Sequence, residues 1–192
     1  MGPGTAPLEA HVTPQSFYRP AEHIRTGPED EHHIFFITGN PGLIAYYHTF
    51  LACLSKLLSE NHGISNGVHI YGQSLGGFQP FKSPGEAANT PCGLQQLIEY
   101  VEETLQSYVR SQDLKSTHQD SEQSTKTSSQ RPLKIILMGH SVGAYILLEL
   151  IRRHRKMVSL GKAKEMEIVG AVLLFPTVTH IAKSPSGLKF GV

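Results

Sequence analysis

The chain has 192 residues, 39% of them hydrophobic, and its 17 Lys and Arg against 16 Asp and Glu leave a formal charge of +1. One domain with a buried core fits that length, and the balanced charge argues against nucleic acid or another polyanion as partner. No run reaches the roughly 18 to 20 apolar residues of a membrane-spanning helix, and the opening Met1-Gly-Pro-Gly-Thr-Ala-Pro7 lacks the basic and apolar regions of a secretory leader.

Residues 1–30 carry Pro3, Pro7, Pro14, Pro20 and Pro28 and read as an irregular N-terminal arm with one short strand near Ser16 to Tyr18. His33 to Thr38 is an apolar run of strand length that stops at Gly39-Asn40-Pro41-Gly42. Tyr46, Tyr47, Phe50, Leu51, Leu54, Leu57 and Leu58 then recur at helical spacing. Cys53 falls on the apolar side of that helix, which predicts a buried structural thiol. With only Cys53 and Cys92 there is neither a disulfide framework nor a zinc set, so a reducing compartment is expected, with no metal and no cofactor. Val68 to Tyr71 predicts a second strand. Leu94, Leu97, Ile98, Val101, Leu105, Tyr108 and Val109 predict an amphipathic helix over 94–109. Residues 111–130 are almost wholly polar and predict a disordered surface insertion, because they bury too little apolar surface to offset ordering. A strand over Leu133 to Met138, a helix over Val142 to Arg155 and a strand over Ile168 to Phe175 complete the pattern. The last strand is apolar on both faces, as a central parallel strand should be. Alternating strands and helices predict a doubly wound, mostly parallel α/β sheet, with ligands met at the carboxyl ends of the strands.

Two stretches match Gly-x-Ser-x-Gly. Gly139-His140-Ser141-Val142-Gly143 lies between an apolar strand and an apolar helix, the setting of the nucleophile elbow of α/β-hydrolases. A sharp turn there exposes the Ser141 hydroxyl, and Gly139 and Gly143 let strand and helix approach closely. Gly72-Gln73-Ser74-Leu75-Gly76 leads instead into Gly77-Phe78-Gln79-Pro80, which cannot open a long helix, so Ser141 is the expected nucleophile. Acyl transfer also needs donors for the oxyanion. The Val142 amide at the helix start is one candidate and Asn40 the other, since Pro41 has no N–H. It needs a histidine and an acid as well, and here the pattern is thin. Asp30, Asp113 and Asp120 lie upstream in polar segments. Glu149, Glu165 and Glu167 are poorly aimed, His154 reads as a solvated basic helix end, and His140 should point away from the hydroxyl. His180 follows the last strand and could approach from a loop. Neither glycine-rich loop has the spacing of a phosphate-binding motif, which argues against a nucleotide site.

Three ordered motifs carry a resemblance: Ile37-Thr38-Gly39-Asn40-Pro41-Gly42 with its Tyr-Tyr-x-x-Phe helix, Met138-Gly-His-Ser-Val-Gly-Ala-Tyr145, and Leu173-Leu-Phe-Pro-Thr177 followed by Ser184-Pro-Ser-Gly187. Over roughly residues 32–190 the chain resembles the lipid droplet-associated hydrolases, α/β-hydrolase serine esterases of lipid metabolism. The resemblance implies Ser141 as nucleophile, neutral lipid or sterol esters as substrates, and the surface of a lipid droplet or of the endoplasmic reticulum as partner. Members of that family continue into a hydrophobic cap and two further strands bearing the acid and the histidine. Residues 31–192 are therefore expected to be a partial hydrolase domain, missing those last strands and the cap and inactive as it stands. A non-catalytic lipid-droplet surface or interaction protein keeping the same fold is the alternative.

Overall fold

The computed structural model describes residues 11–13, 16–19, 32–60, 68–78, 92–119, 132–163 and 165–177. Its strands are β1 (His11–Val12), β2 (Ser16–Arg19), β3 (His32–Ile37), β4 (Val68–Gln73), β5 (Leu133–His140) and β6 (Met166–Leu174). They form one sheet in the order β1-β2-β4-β3-β5-β6. β4, β3, β5 and β6 run parallel, while β2 is antiparallel to β4 and β1 to β2. The helices are α1 (His48–Glu60), entered through a 3₁₀ turn over Ile44–Tyr47, then α2 (Leu94–Gln119) and α3 (Val142–Ser159).

Alternation along β3 divides the core between the two faces of the sheet. Phe35 and Ile37 join Ile98, Val101, Leu105, Ile135, Leu137, Ile146, Leu147 and Leu150 beneath α2 and α3. Ile34 and Phe36 join Phe17, Ile44, Leu51, Ile70 and Met138 on the face that α1 covers. A central parallel strand needs apolar residues on both sides, and β3 has them.

Several expectations change. His11–Val12 and Ser16–Arg19 give the sheet two strands where one was expected, so part of the proline-rich arm belongs to the fold. Helix α2 continues through 111–119, into the stretch expected to be disordered. Polar side chains such as Gln, Lys and Ser are compatible with a helical backbone, and apolar periodicity does not detect them. The rest of that insertion, 120–130, lies outside the described residues. Cys53 is exposed rather than buried. It stands two positions from the buried Leu51, roughly 200° around the helix, so the two side chains face opposite ways. Tyr46, Phe50 and Leu57 are also exposed, so the apolar spacing of this segment is wider than the face it buries. Finally, β6 is an edge strand among the described residues and pairs only with β5; Val169, Val172 and Leu173 are exposed on it. Apolar residues on both faces announce that a strand is made to be covered, but not by which segment.

Glu149 on α3 is held by two guanidinium groups. Arg152 donates to it at 2.7 and 2.8 Å and Arg153 at 3.0 Å, while Arg153 also reaches Glu102 on α2 at 2.7 Å. Hydrogen bonds from Arg152 and Arg153 pull its carboxyl from the ordinary 4.5 down to about 2. A depressed folded-state pKa stabilises the fold above about pH 4.5, and that contribution is lost as pH falls toward 2. Glu149→Gln is therefore expected to lower stability at pH 7 by under about 1 kcal/mol, a half-exposed pair being worth no more. In denaturant titrations the gap to the wild type should narrow steadily as pH falls from 4.5 to 2; a gap undiminished at pH 2 contradicts this origin.

Candidate active site

Ser141 stands between β5 and α3 with φ 52° and ψ −119°, a left-handed conformation that a serine rarely adopts. Such a conformation costs about 1–3 kcal/mol and persists only where the surroundings impose it. Here they do. The Ser141 N–H donates to the Leu174 carbonyl at 2.9 Å, and its own carbonyl accepts from Ala144 N–H at 3.0 Å and Thr177 N–H at 3.3 Å. The side chain makes no capping bond to α3. Its Oγ instead lies 3.2 Å from Thr177 Oγ1. Thr177 follows β6, and no local pattern marks it as a partner of the serine, because 36 residues separate the two and only β5–β6 pairing unites them.

The flanking glycines are required by close approach. A Cβ on Gly139 would stand 2.5 Å from the Gly143 carbonyl oxygen, and one on Gly143 would stand 2.5 Å from the carbonyl oxygens of both Ile37 and Thr38. The first turn of α3 is thus pressed against the carboxyl end of β3. That contact brings Val142 beside the loop carrying Asn40, as β3–β5 register with Ile37 opposite Gly139 demands. Asn40 is exposed and Val142 half-buried. Among the described residues nothing accepts a hydrogen bond from either amide.

Ser74 has a different position altogether. It is 2% exposed, and its Oγ accepts the Ile44 N–H at 3.0 Å while Leu75 N–H donates to the Gly42 carbonyl at 2.8 Å. The second Gly-x-Ser-x-Gly is a bracket beneath the 39–44 loop. His140 turns aside, its Nδ1 2.9 Å from the Tyr47 hydroxyl and its ring edge-on to Phe175 at 6.0 Å.

No histidine or carboxylate among the described residues hydrogen-bonds the Ser141 hydroxyl. Glu149 is occupied by its arginines, and Glu165 and Glu167 lie at the start of β6, the end remote from Ser141. His154 is half-buried, and burial lowers its pKa. Rather than a solvated helix end, it lines a cavity of about 270 Å³ among α2, α3 and the start of β6, with Arg110, Lys162 and Glu165. Helix α3 runs on to Ser159, so His154 is not at its end, and Glu102, Gln106 and Arg110 of α2 line the same cavity. His180, Asp30 and Asp120 lie outside the described residues, as does the Asp113 side chain. Among the described residues no cluster of three or more His, Cys, Asp or Glu could hold a metal, and no helix is long and apolar enough to cross a membrane.

A parallel sheet with the antiparallel strands at one margin, and a left-handed serine between a central strand and the helix behind it, define the α/β-hydrolase fold. A hydrolase candidate of Agrobacterium vitis S4 has the same fold, with a TM-score of 0.54 at 16% identity over 90% of this chain and 54% of that one. The family model described as lipid-droplet associated hydrolase matches residues 30–192, and the chain belongs to that family. Among similar proteins, the lipid droplet-associated hydrolase of Gallus gallus is 28% identical over 151 residues, 79% of this chain and 38% of that protein. Its Homo sapiens counterpart is 25% identical over 159 residues, 80% and 40% respectively. The chain thus spans about 40% of the length of the curated relatives it matches.

Proposed function

We propose that this chain carries the nucleophile and oxyanion donors of a serine hydrolase acting on carboxylic esters, with neutral lipid or sterol esters as substrates. The observation that carries the reading is the left-handed Ser141 at the carboxyl end of β5, near the Val142 and Asn40 amides that no described residue engages. Ser141 Oγ attacks the ester carbonyl, and the N–H groups of Val142 and Asn40 receive the developing negative charge. Donors of this kind typically contribute about 2.7–4 kcal/mol each to lowering the barrier. The tetrahedral intermediate expels the alcohol and leaves an acyl-serine for water to cleave. The proton acceptor comes from outside the described residues. The names of the relatives support action at a lipid droplet, and the endoplasmic reticulum surface is part of the same proposal; no cofactor is required.

The test is a fluorophosphonate probe on the complete protein that carries this sequence. It should label the wild type and Ser74→Ala but not Ser141→Ala; a label that survives Ser141→Ala overturns the assignment. A second reading, a non-catalytic lipid-surface protein, is favoured by one observation, that the hydroxyl's partner is Thr177 rather than an imidazole. Recruitment to droplets with neither labelling nor ester hydrolysis would select it.

A further inference from the structure

The Tyr47 hydroxyl lies where the loop after β3 meets the turn after β5. Its oxygen accepts the Gly39 N–H at 3.1 Å and stands 2.9 Å from His140 Nδ1. Gly39 directly precedes Asn40, and His140 directly precedes Ser141. We propose that Tyr47 is a positioning residue for the ester chemistry, its hydroxyl tying the donor loop to the nucleophile turn; this rests on the serine-hydrolase reading above.

The rings around it make that hydroxyl a fixed point. Phe36 packs on Tyr47 at 4.9 Å and His140 meets it edge-on at 5.6 Å. The 3₁₀ turn that ends at Tyr47 is itself pinned, through Ile44 N–H, to the buried Ser74 hydroxyl. The two loops are in close contact at Gly39. A Cβ on Gly39 would stand 2.6 Å from His140 Nδ1 and 3.0 Å from the Ser141 Cβ, so no side chain can separate them. Bonding is satisfied when Tyr47 gives its proton to Nδ1 and His140 keeps its own on Nε2. Holding the Gly39 N–H then fixes the Thr38–Gly39 peptide, one unit before the Asn40 amide that must meet an oxyanion at about 2.7–3.1 Å. An error near 1 Å at such a site costs on the order of a hundredfold in rate.

Tyr47→Phe keeps the ring contacts and removes both hydrogen bonds. On the complete protein with p-nitrophenyl butyrate, kcat is expected to fall about tenfold to a hundredfold with KM within about twofold, because the lost alignment matters in the transition state rather than in binding. Far-UV circular dichroism and the unfolding midpoint should stay close to wild type. A kcat within twofold of wild type overturns the inference, as does a loss of rate that tracks loss of folded protein. His140→Phe gives the second reading. It leaves the Gly39–Tyr47 bond in place and should cost less than Tyr47→Phe, and the double variant should be no slower than Tyr47→Phe alone. Fully additive losses would mean that the two side chains act separately and would overturn the shared link. A wild type without hydrolysis or Ser141 labelling sinks the serine-hydrolase reading first, whereas an active wild type indifferent to Tyr47→Phe sinks this inference alone.

Discussion

Replacing Ser141 with alanine is expected to lower ester hydrolysis by the complete protein by about 10⁶-fold in kcat, the usual cost of removing a serine nucleophile. No atom is left to form the acyl bond, and what remains is the roughly 10³–10⁴-fold advantage over water that binding and oxyanion donors provide. Stability supplies a second readout that activity alone cannot. At ordinary positions glycine is less stable than alanine, since its unfolded chain is freer. At φ 52° the order should invert, because alanine keeps the strained backbone while glycine adopts it without a clash. Both substitutions lose the bond to Thr177 equally. Ser141→Gly should therefore be about 1 kcal/mol more stable than Ser141→Ala, roughly 2 to 4 °C in unfolding midpoint for a chain of this size. A glycine variant that melts below the alanine variant would show that Ser141 carries no strain, and the elbow would lose its main structural support.

Gly143→Ala should be among the most damaging methyl additions at the described glycines. Its Cβ would sit 2.5 Å from two carbonyl oxygens at the end of β3, and neither is the movable tip of a flexible side chain. Relief requires α3 to move away from the sheet, with strain of about 3 kcal/mol and a midpoint lower by roughly 6 to 12 °C. The same movement carries the Val142 amide away from the Asn40 loop, so hydrolysis should fall about a hundredfold for each ångström of displacement. Gly170→Ala is the control. Its Cβ would meet only Ile136 side-chain atoms, at 3.6 Å and beyond, an ordinary contact that should leave both stability and activity nearly unchanged. If Gly143→Ala behaves like Gly170→Ala in thermal denaturation, the tight contact between α3 and β3 is wrong.

How much of this was readable in advance depends on the range of the interaction concerned. Strands and helices appear in the expected order because burial imposes periods of 2 and 3.6 on neighbouring residues. The elbow was legible because it is local: strand, turn and helix adjoin in the chain, and the two glycines answer contacts at its own base. The helix that opens at Val142 was likewise readable from flanking residues, as was the lack of a helix-opening pattern at Gly77-Phe78-Gln79-Pro80. Contacts between remote segments leave no such local mark. Thr177 reaches Ser141 across β5–β6 pairing. Tyr47 reaches Gly39 and His140 only because a 3₁₀ turn delivers its ring to the ends of two strands, although its spacing says merely that it is apolar. Cys53 was misplaced for a related reason, as a face wider than the buried stripe offers no sign of which edge remains in water.

The order of elements, the parallel α/β character, the strand-turn-helix around Ser141 and the missing N–H of Pro41 were determined by the amino acids alone. Each depends on backbone geometry and solvation within a few neighbouring residues, and those are properties of residue type. Tertiary structure decided that Ser74 braces a loop, that β6 forms an edge among the described residues, that Glu149 is consumed by arginines, and that Tyr47 links the loop after β3 to His140, next to Ser141. Those outcomes depend on which distant groups come within about 3 Å, and a directional bond at that range is set by register and packing rather than by composition.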